Sequence, residues 1–534
     1  MTKHPSITKR TKRASKPLSC AISAAVLAGS MTAALSSTAS AQSGIPNLSY
    51  KGTITMFAST YTPPITGVKQ APGTIADPEM QAAANAFQKL YPGIKIDFVP
   101  GAREFGTPTW YVSEAAAGNL PDVTWVPGYY VNVTLPVGLF QDLTPAFNQP
   151  NPFIPGNTKW ISTMNQVALR ADTVPGNTPG TSGIYVVNGD WGGIGFYYNK
   201  NLFREAGITA APTSWNQLQA DSVQIDVRLA SKHIYAGAAI APYMYNWLAH
   251  ILGANYLGLA RMRTIFQMPA PYSAAYNSYF YSNDGGWLNP SKNPELTTWF
   301  PLGKALMDTW APKDLDVPFT SGASVDGSTF FLGQQVAYVF INGYAIPREV
   351  ASLPKSQQFP VGYFELTSLK GTSPYATDLS TWQDNGGPTQ SFQYGISSSK
   401  ADRSMNPAKT QAATAWLQFI SSPKWNSLIV NAEGNDLPII KGATSSPQLQ
   451  PILNQLNSES KYYYPFAPFD SLTSASFQEI DGLYLEYAQG YISLGTALSE
   501  YDSDAASIIK AYNAEHPQLV AETTAYENKV LGVK

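Results

Sequence analysis

Aromatic rings occur beside small amide and hydroxyl side chains in several segments that follow predicted strands. These groups are Phe57, Ser59 and Tyr61; Trp125, Tyr129 and Tyr130; Tyr243, Tyr245, Asn246 and Trp247; and Trp382, Asp384 and Asn385. Such mixtures suit a sugar, whose C–H face packs on aromatic rings and whose hydroxyl groups need polar partners. A single ring is more often a core residue, so the indication comes from clustering in Gly/Pro-bounded loops after strands.

The sequence lacks the characteristic motifs of several enzyme classes. The chain has four histidines and one cysteine, of which His4 and Cys20 lie in the N-terminal segment, so we expect no metal site and no cofactor. The signatures H-E-x-x-H, G-x-S-x-G and G-x-x-x-x-G-K-[ST] do not occur. Glycoside hydrolysis needs only two carboxylates about 5 to 9 Å apart, and the many acidic residues leave such a pair open.

The N-terminus has the order of a secretory signal peptide. Basic residues without any acid precede an apolar run over residues 21–35, and small residues (ASA) follow at 39–41. We expect cleavage before Gln42, so that residues 1–41 are the signal and the mature protein is periplasmic, with a secreted form as the alternative. A retained transmembrane helix is disfavoured because the run is shorter than the roughly 20 apolar residues of a bilayer span.

Charge and cysteine content limit the binding partners and the covalent modifications that we expect. Cys20 precedes the apolar run, so we expect neither a lipid anchor nor a disulfide in the mature protein. Loss of the six basic residues of the leader would change the formal net charge from -2 to -8, which argues against nucleic acid. Only 13% of the residues are charged, and from this sparse charge we hypothesise that the protein works in an acidic medium.

Hydrophobic periodicity predicts the first elements. Alternation predicts strands at 53–57, 94–98 and 121–126, and helical spacing predicts helices at 78–91 and 109–117 between them. This βαβαβ order favours a parallel sheet that is covered by helices on both faces.

Strands are also predicted at 194–198 and 336–341, with helices at 202–206 and 413–420 and helical patterns within 477–531. The fold class is therefore α/β. A hydrophobic content of 44% can build the cores of two or three domains in a chain of this length.

Eight segments, in order over nearly the whole mature chain, resemble the extracellular solute-binding proteins of carbohydrate ABC importers, the group that includes the maltose-binding protein. They are GTITMF (52–57), AFQKLYPGIKI (86–96), AAGNLPDV (116–123), GFYYNKNLF (195–203), APTSW (211–215), AYVFING (337–343), a Gly386-Gly387 loop leading to GIS (395–397), and AWLQFISSP (415–423). Each segment is weak alone, and their shared order is specific.

The resemblance implies a type II periplasmic-binding-protein fold, in which two lobes close over a ligand in the cleft between them. Each lobe would be discontinuous, one formed by 42–190 and 388–435 and the other by 191–387 and 436–534. The chain would cross between the lobes near 188–195, 372–388 and 434–440. The implied function is capture of a carbohydrate by a monomeric, non-enzymatic protein and its delivery to membrane permease subunits.

The resemblance also assigns roles to individual residues. Phe57 matches the family's aromatic residue after the first strand, and Ser59 and Tyr61 fall where polar sugar contacts occur. Tyr129 and Tyr130 replace a charged pair of maltose-type members, which argues against a maltose-like ligand.

Further matches come from the second half of the chain. Tyr243 matches a stacking tyrosine, Tyr344 stands beside the usual tryptophan position at Ala345, and Phe477 falls near a late stacking tryptophan. Gly387 lies in the loop expected to border the cleft.

These matches and the clustered rings together give thirteen candidate ligand contacts: Phe57, Ser59, Tyr61, Trp125, Tyr129, Tyr130, Tyr243, Trp247, Tyr344, Trp382, Asp384, Gly387 and Phe477. None of them is Lys or Arg, which suggests a neutral glycoside, although members of the family also bind polyols and glycerophosphate compounds. Two other functions remain open at this stage: a secreted carbohydrate-active enzyme, and a ligand sensor that binds a membrane receptor.

Overall fold

The computed structural model describes residues 45–65, 77–100, 106–237, 327–364 and 391–454, with gaps at 129, 132–134, 136–137, 167, 170–172, 176–181, 448 and 451, and parts of 483–517. Residues 46–534 form one compact unit, within which all the contacts below lie. Among the described residues, no helix combines the length and the apolar character needed to cross a membrane.

The strands of the described residues are β1 (Gly52–Phe57), β2 (Ile94–Phe98), β3 (Val123–Trp125), β4 (Thr173–Pro175), β5 (Ser182–Ile184), β6 (Val186–Asn188), β7 (Asp190–Trp191), β8 (Ile194–Asn199), β9 (Tyr235–Gly237), β10 (Val336–Asn342), β11 (Val361–Phe364), β12 (Gln393–Ile396) and β13 (Leu437–Pro438).

The helices are α1 (Pro78–Leu90), α2 (Pro108–Ala117), α3 (Thr144–Phe147), α4 (Lys200–Glu205), α5 (Trp215–Leu229), α6 (Gly327–Leu332), α7 (Ile346–Ser352), α8 (Pro407–Ile420), α9 (Pro423–Glu433) and α10 (Leu494–Glu515). Single 3-10 turns lie at Ser59–Tyr61, Trp160–Thr163 and Ala230–Lys232. The strands and helices predicted from periodicity between residues 53 and 420 are confirmed, with ends that differ by a few residues.

The first sheet contains five strands in the order β2-β1-β3-β12-β6. Strand β1 pairs in parallel with β2 and with β3, as the βαβαβ pattern predicts. Strand β12 comes from far along the chain and pairs antiparallel with β3 and β6. A sheet of this topology is assembled from segments that are widely separated in sequence.

Helices cover both faces of this sheet. Successive side chains of a strand point to opposite faces, so neighbouring residues of β1 contact different helices. Met56 points towards helix α8, where the indole nitrogen of Trp416 donates to its sulfur at 3.2 Å. Phe57, the next residue, points the other way and packs edge to face on Trp110 of α2, with 5.3 Å between ring centroids. The predicted α/β sheet with helices on both faces is therefore confirmed.

The second sheet has the order β11-β8-β10-β9 and is rich in aromatic residues. Phe196 of β8 stacks on Phe364 of β11 with 4.8 Å between ring centroids. Gly362 of β11 lies opposite Tyr198 of β8, whose ring covers the glycine so closely that a Cβ there would overlap it. Rings that cover glycines across strands fix the register of this sheet.

A separate two-stranded antiparallel sheet joins two distant segments. Strand β7 pairs with β13, with Asp190 opposite Pro438 and Trp191 opposite Leu437. Both strands lie within segments that the sequence resemblance predicts to be interlobe crossings.

Candidate functional site

The segment after strand β1 carries three of the candidate residues. The ring of Phe57 is buried against α2, and Ser59 has a left-handed backbone with φ 51, an uncommon conformation for a residue other than glycine. Tyr61 is completely buried, and its hydroxyl donates to Asp190 Oδ2 at 2.6 Å. This contact ties the segment to strand β7.

Two more candidates lie at the end of strand β3, next to Phe57. Trp125 and Tyr130 are half-buried and pack against the apolar cluster that contains Phe57. Gly106, at φ +81, allows the close approach, because a Cβ there would lie only 2.8 Å from the ring of Trp125. The structure thus brings three predicted rings together, two of them with surface left over for a ligand.

Tyr111 of α2 holds the backbone of Trp125 in place. The hydroxyl of buried Tyr111 donates to the carbonyl of Trp125, and the Tyr111 ring packs edge to face on Tyr130 with 6.1 Å between centroids. The indole N–H of Trp125 is buried and has no hydrogen-bond acceptor among the residues that the structure describes. An unpaired buried donor is costly, so this group would gain from a ligand hydroxyl.

Tyr344 follows strand β10 and lies at the crossing strands. Its ring is buried in a cluster with Trp191 and Leu437, and its hydroxyl packs against the backbone of Gly193. The amide of Tyr344 donates to the carbonyl of Asn435 at 2.6 Å. Tyr344 therefore contacts both β7 and the segment that leads into β13.

A pair of buried carboxyl groups lies between these candidates. Asp190 is 0% exposed and Asp436 is 1% exposed, and their carboxyl groups lie within hydrogen-bonding reach of each other. Burial raises the pKa of Asp190 to about 7, although hydrogen bonds from Tyr61 and the amide of Phe392 lower it. Burial, followed by the charge of Asp190, raises the pKa of Asp436 well above its ordinary value.

Helix α9 holds both crossing strands through one amide side chain. Asn426 is completely buried, its Nδ2 donates to the carbonyl of Gly189 at 2.7 Å, and its Oδ1 accepts from the amide of Ile440 at 3.3 Å. Because Gly189 precedes β7 and Ile440 follows β13, this contact reinforces their pairing.

Burial divides the candidates into two groups. The side chains of Phe57, Tyr61 and Tyr344 are at most 4% exposed, so in this structure they present almost no surface to a ligand. Ser59, Trp125 and Tyr130 keep partial exposure. A ligand contact therefore stays a prediction for all six, and the geometry favours Trp125 and Tyr130.

Seven candidates lie outside the described residues: Tyr129, Tyr243, Trp247, Trp382, Asp384, Gly387 and Phe477. In the described part of the chain, no three His, Cys, Asp or Glu residues cluster as a metal site.

Sequence reasoning missed Asp190, Asp436 and Tyr111. Asp190 is an isolated acid in a stretch with almost no other charge, whereas Asp436 has Glu433 three residues before it; both fall inside predicted crossings. A lone acid in an apolar stretch is a usable signal, because burial of a carboxyl group needs a specific partner. Nothing in the sequence around Tyr111 distinguishes it from a core residue.

Several solved structures of sugar-binding proteins share this fold. A chitin oligosaccharide binding protein is 17% identical, with a TM-score of 0.57 over 86% of this chain and 99% of its own. The GacH receptor of Streptomyces glaucescens, whose structures include complexes with acarbose, is 16% identical, with a TM-score of 0.57 over 86% and 99%. The cyclic alpha-maltosyl-1,6-maltose binding protein of Arthrobacter globiformis is 15% identical, with a TM-score of 0.56 over 86% and 100%.

At these identities the likeness establishes the fold, and the predicted two-lobed α/β class is confirmed. No curated protein sequence matches the chain. The sequence model of one family does, over residues 71–427, which is more than half of the chain. That family binds solutes and does not catalyse reactions. The chain belongs to the bacterial extracellular solute-binding proteins.

Proposed function

We propose that this protein captures a carbohydrate outside the cytoplasmic membrane and delivers it to the permease subunits of an ABC importer. The observation that carries the proposal is the ring cluster at the ends of β1 and β3. There, half-buried Trp125 and Tyr130 lie beside Phe57, and the Trp125 indole N–H has no acceptor within the described structure. A ring face beside an unpaired donor suits the C–H face and the hydroxyl groups of a sugar.

The second part of the proposal is that the ligand is neutral. None of the candidate contacts is Lys or Arg, and Tyr130 stands where maltose-type members carry a charge. A phosphate or sugar acid would favour an arginine or lysine partner. Sugar-binding solved structures of the same fold support a carbohydrate, although their ligands differ from one another.

The two lobes of the proposed protein are 42–190 with 388–435, and 191–387 with 436–534. Two observations support these bounds. Every strand of the five-stranded sheet falls in the first set, and every strand of the four-stranded sheet falls in the second. The β7–β13 pair then lies at the boundary, where two of the three crossings would run side by side.

A thermal-shift panel of neutral sugars, polyols, sugar acids and glycerophosphates tests the ligand class. A ligand that binds only the folded protein raises its stability by RT ln(1 + [L]/Kd), so a selective shift identifies the class. Unmodified ligand should be recovered afterwards. Conversion of an oligosaccharide would instead establish a secreted enzyme, and shifts with charged ligands alone would overturn the neutral glycoside.

A matched pair of variants tests the location. We expect Trp125→Ala to weaken binding of the identified sugar by about 30-fold or more, because loss of a large aromatic ring at a binding site costs about 2 kcal/mol or more. Tyr491→Ala removes a ring that is 77% exposed and should leave the affinity unchanged. Equal affinities of the two variants would place the site elsewhere.

Export and delivery need separate measurements. N-terminal sequencing of the exported protein should begin at Gln42 if the leader is cleaved as predicted. Ligand-loaded protein should stimulate the ATPase of its reconstituted importer more than ligand-free protein does. Stimulation of a receptor kinase in the absence of any permease would favour the sensor function instead.

A further inference from the structure

The buried carboxylate of Asp190 contacts segments that lie within or next to the three predicted crossings. Asp190 belongs to β7, and its Oδ2 accepts the Tyr61 hydroxyl at 2.6 Å and the amides of Phe392 and Ser391 at 2.7 and 3.1 Å. Ser391 and Phe392 follow the predicted crossing 372–388. Its partner Asp436 comes immediately before β13.

The second carboxyl group has its own anchors. Asp436 hydrogen-bonds with Asp190 and with the Ser391 side chain, and its Oδ1 lies 3.5 Å from Asn435 Nδ2. Neither Asp190 Oδ1 nor Asp436 Oδ2 accepts a hydrogen bond from an N–H or O–H donor of the described residues. Because two ionised carboxylates repel each other, a hydrogen bond between them requires a proton on one of them.

Other titratable groups near the pair do not supply a compensating charge. Several titratable groups interact electrostatically with the two carboxyl groups or with residues beside them: Tyr61, Tyr394, Glu433, Asp77 and Arg348. Four of these are acids or neutral phenols. Arg348 donates to the carbonyl of Glu433 and makes no ion pair with Asp190 or Asp436 in the described structure.

We infer that Asp190 and Asp436 share a single proton, and that this proton holds the crossing strands together and makes carbohydrate binding pH-dependent. This inference rests on the proposed function, since it assumes that the two lobes move about these strands. With the proton present, the pair joins β7 to the segment before β13, while Asp190 fixes Tyr61. Without it, two buried carboxylates repel each other across the crossing.

The direction of the pH effect follows from burial. The pKa of Asp190 is raised to about 7 and that of Asp436 is raised well above its ordinary value, so the pair keeps a proton in mildly acidic solution. The last proton leaves only when the pH exceeds the pKa values of both carboxyl groups. Ligand affinity should therefore be high near pH 5.5 and lower in alkaline solution, with a loss of about tenfold for each unit by which the pH exceeds the higher of the two pKa values.

The test compares the wild type with Asp436→Asn, in which the amide donates permanently to Asp190. We expect equal melting temperatures at pH 5.5, and a value for the variant that becomes higher by about 2 °C or more as the pH is raised in steps to about 10. Sugar affinity of the variant should lose its pH dependence. Asp190→Asn, which also keeps a hydrogen bond within the pair, should behave in the same way if Asp436→Asn folds poorly.

Asp97→Asn is the control, because Asp97 is exposed and paired with Lys95, and it should follow the wild type at every pH. Melting temperatures of Asp436→Asn that run parallel to those of the wild type would overturn the shared proton. An affinity that keeps its full pH dependence in both Asn variants would overturn the link to binding. If neither protein binds any carbohydrate, the proposed function is wrong, and the melting temperatures still decide whether the proton is shared.

Discussion

Lys409 Nζ lies 2.5 Å from Asp122 Oδ1 in a buried ion pair that joins helix α8 to the start of strand β3. The other oxygen of Asp122 accepts the amide and hydroxyl of Thr55 at 2.7 and 3.0 Å, so the same carboxylate also holds β1. Lys409 in turn donates to Ser404 at 2.7 Å. Lys409 thus balances the charge of the Asp122 carboxylate, which connects strands β1 and β3 with helix α8.

Lys409→Met should lower the free energy of unfolding by about 3 to 5 kcal/mol, because it leaves the Asp122 carboxylate buried without its counter-charge. Lys95→Met is the matched control, since Lys95 pairs with Asp97 at 2.9 Å on the exposed surface and should cost less than about 1 kcal/mol. Urea unfolding midpoints measure both. Similar losses for the two variants would contradict the assigned role of Lys409.

Asp77 caps helix α1 with an oxygen that accepts the amides of Glu79 and Met80 at 2.8 and 3.0 Å. Burial raises the pKa of Asp77 to about 7. Asp77→Asn keeps the cap and removes the buried charge, so it should stabilise the protein by about 1 kcal/mol at pH 8 and have little effect at pH 5. Asp77→Ala also loses the cap, so it should cost about 1 kcal/mol at pH 5, whereas at pH 8 the removal of the buried charge should offset most of that loss. Chemical denaturation of both variants at the two pH values decides.

The melting temperature should be higher at pH 5 than at pH 8. The pKa values of Asp77 and Asp190 are raised to about 7 in the folded protein, so the folded state holds protons that the unfolded state has already lost. Their stabilising contribution is complete below about pH 4 and disappears as the pH rises through about 7. The pKa of Asp402 is lowered in the folded protein, so its contribution to stability has the opposite pH dependence and is lost only in stronger acid. A melting temperature that rises from pH 5 to pH 8 would refute both this expectation and the acid-medium hypothesis.

Tyr111→Phe should weaken sugar binding through Trp125. The substitution leaves the Trp125 carbonyl without its donor and loosens the ring that we propose to face the ligand. We expect a stability loss of about 1 kcal/mol and a several-fold loss of affinity. Tyr50→Phe removes a similar hydroxyl, which donates to the Thr53 carbonyl at 2.8 Å, and should change stability alone. Calorimetric titration with the identified sugar separates the two, and equal affinities would show that Tyr111 does not position Trp125.

Gly118 ends helix α2 in a left-handed conformation with φ 74. Gly118→Ala should cost about 1 to 2 kcal/mol, because the backbone is strained and the new Cβ would lie 2.6 Å from the Arg403 side chain. Gly156 has a similar φ of 73 with nothing within 4 Å, so Gly156→Ala reports the backbone strain alone and should cost less. Thermal unfolding of both variants measures the difference. A larger loss for Gly156→Ala would contradict the steric role of Arg403.

Local signals in the sequence were enough to predict some of the regular elements. Helix α1 begins at a Pro after an Asp cap, and α2 ends at Gly118, which are the residues that helix ends prefer. The alternation of Ile54 and Met56 with threonines identified β1. These features act over a few residues, so they are readable without the fold.

The crossing strands could not be predicted as a pair. Strands β7 and β13 have two residues each, too few for any periodicity, and they meet only because the chain returns after more than two hundred residues. The Asp190–Asp436 contact depends on that return. Its two acids are visible in the sequence, whereas their proximity is not.

Composition also does not distinguish a binding ring from a core ring. Phe57, Tyr61 and Tyr344 are buried, whereas Trp125 and Tyr130 keep exposed surface, although all five lie at or shortly after the ends of strands. The difference arises from what packs against each ring. Tyr61, for example, is buried because a buried aspartate accepts its hydroxyl.

The position of strand β12 has a consequence for how the chain folds during its synthesis. Because Tyr394 pairs with Trp125, the first sheet lacks an interior strand until almost three quarters of the polypeptide have been made. Before then β3 has an open edge and β6 has no neighbour, and pairing over such long sequence separations is slow. The first sheet should therefore stay incomplete for most of the elongation of the chain, and an incomplete sheet is easily unfolded for passage through a translocation channel if the protein is exported as we propose.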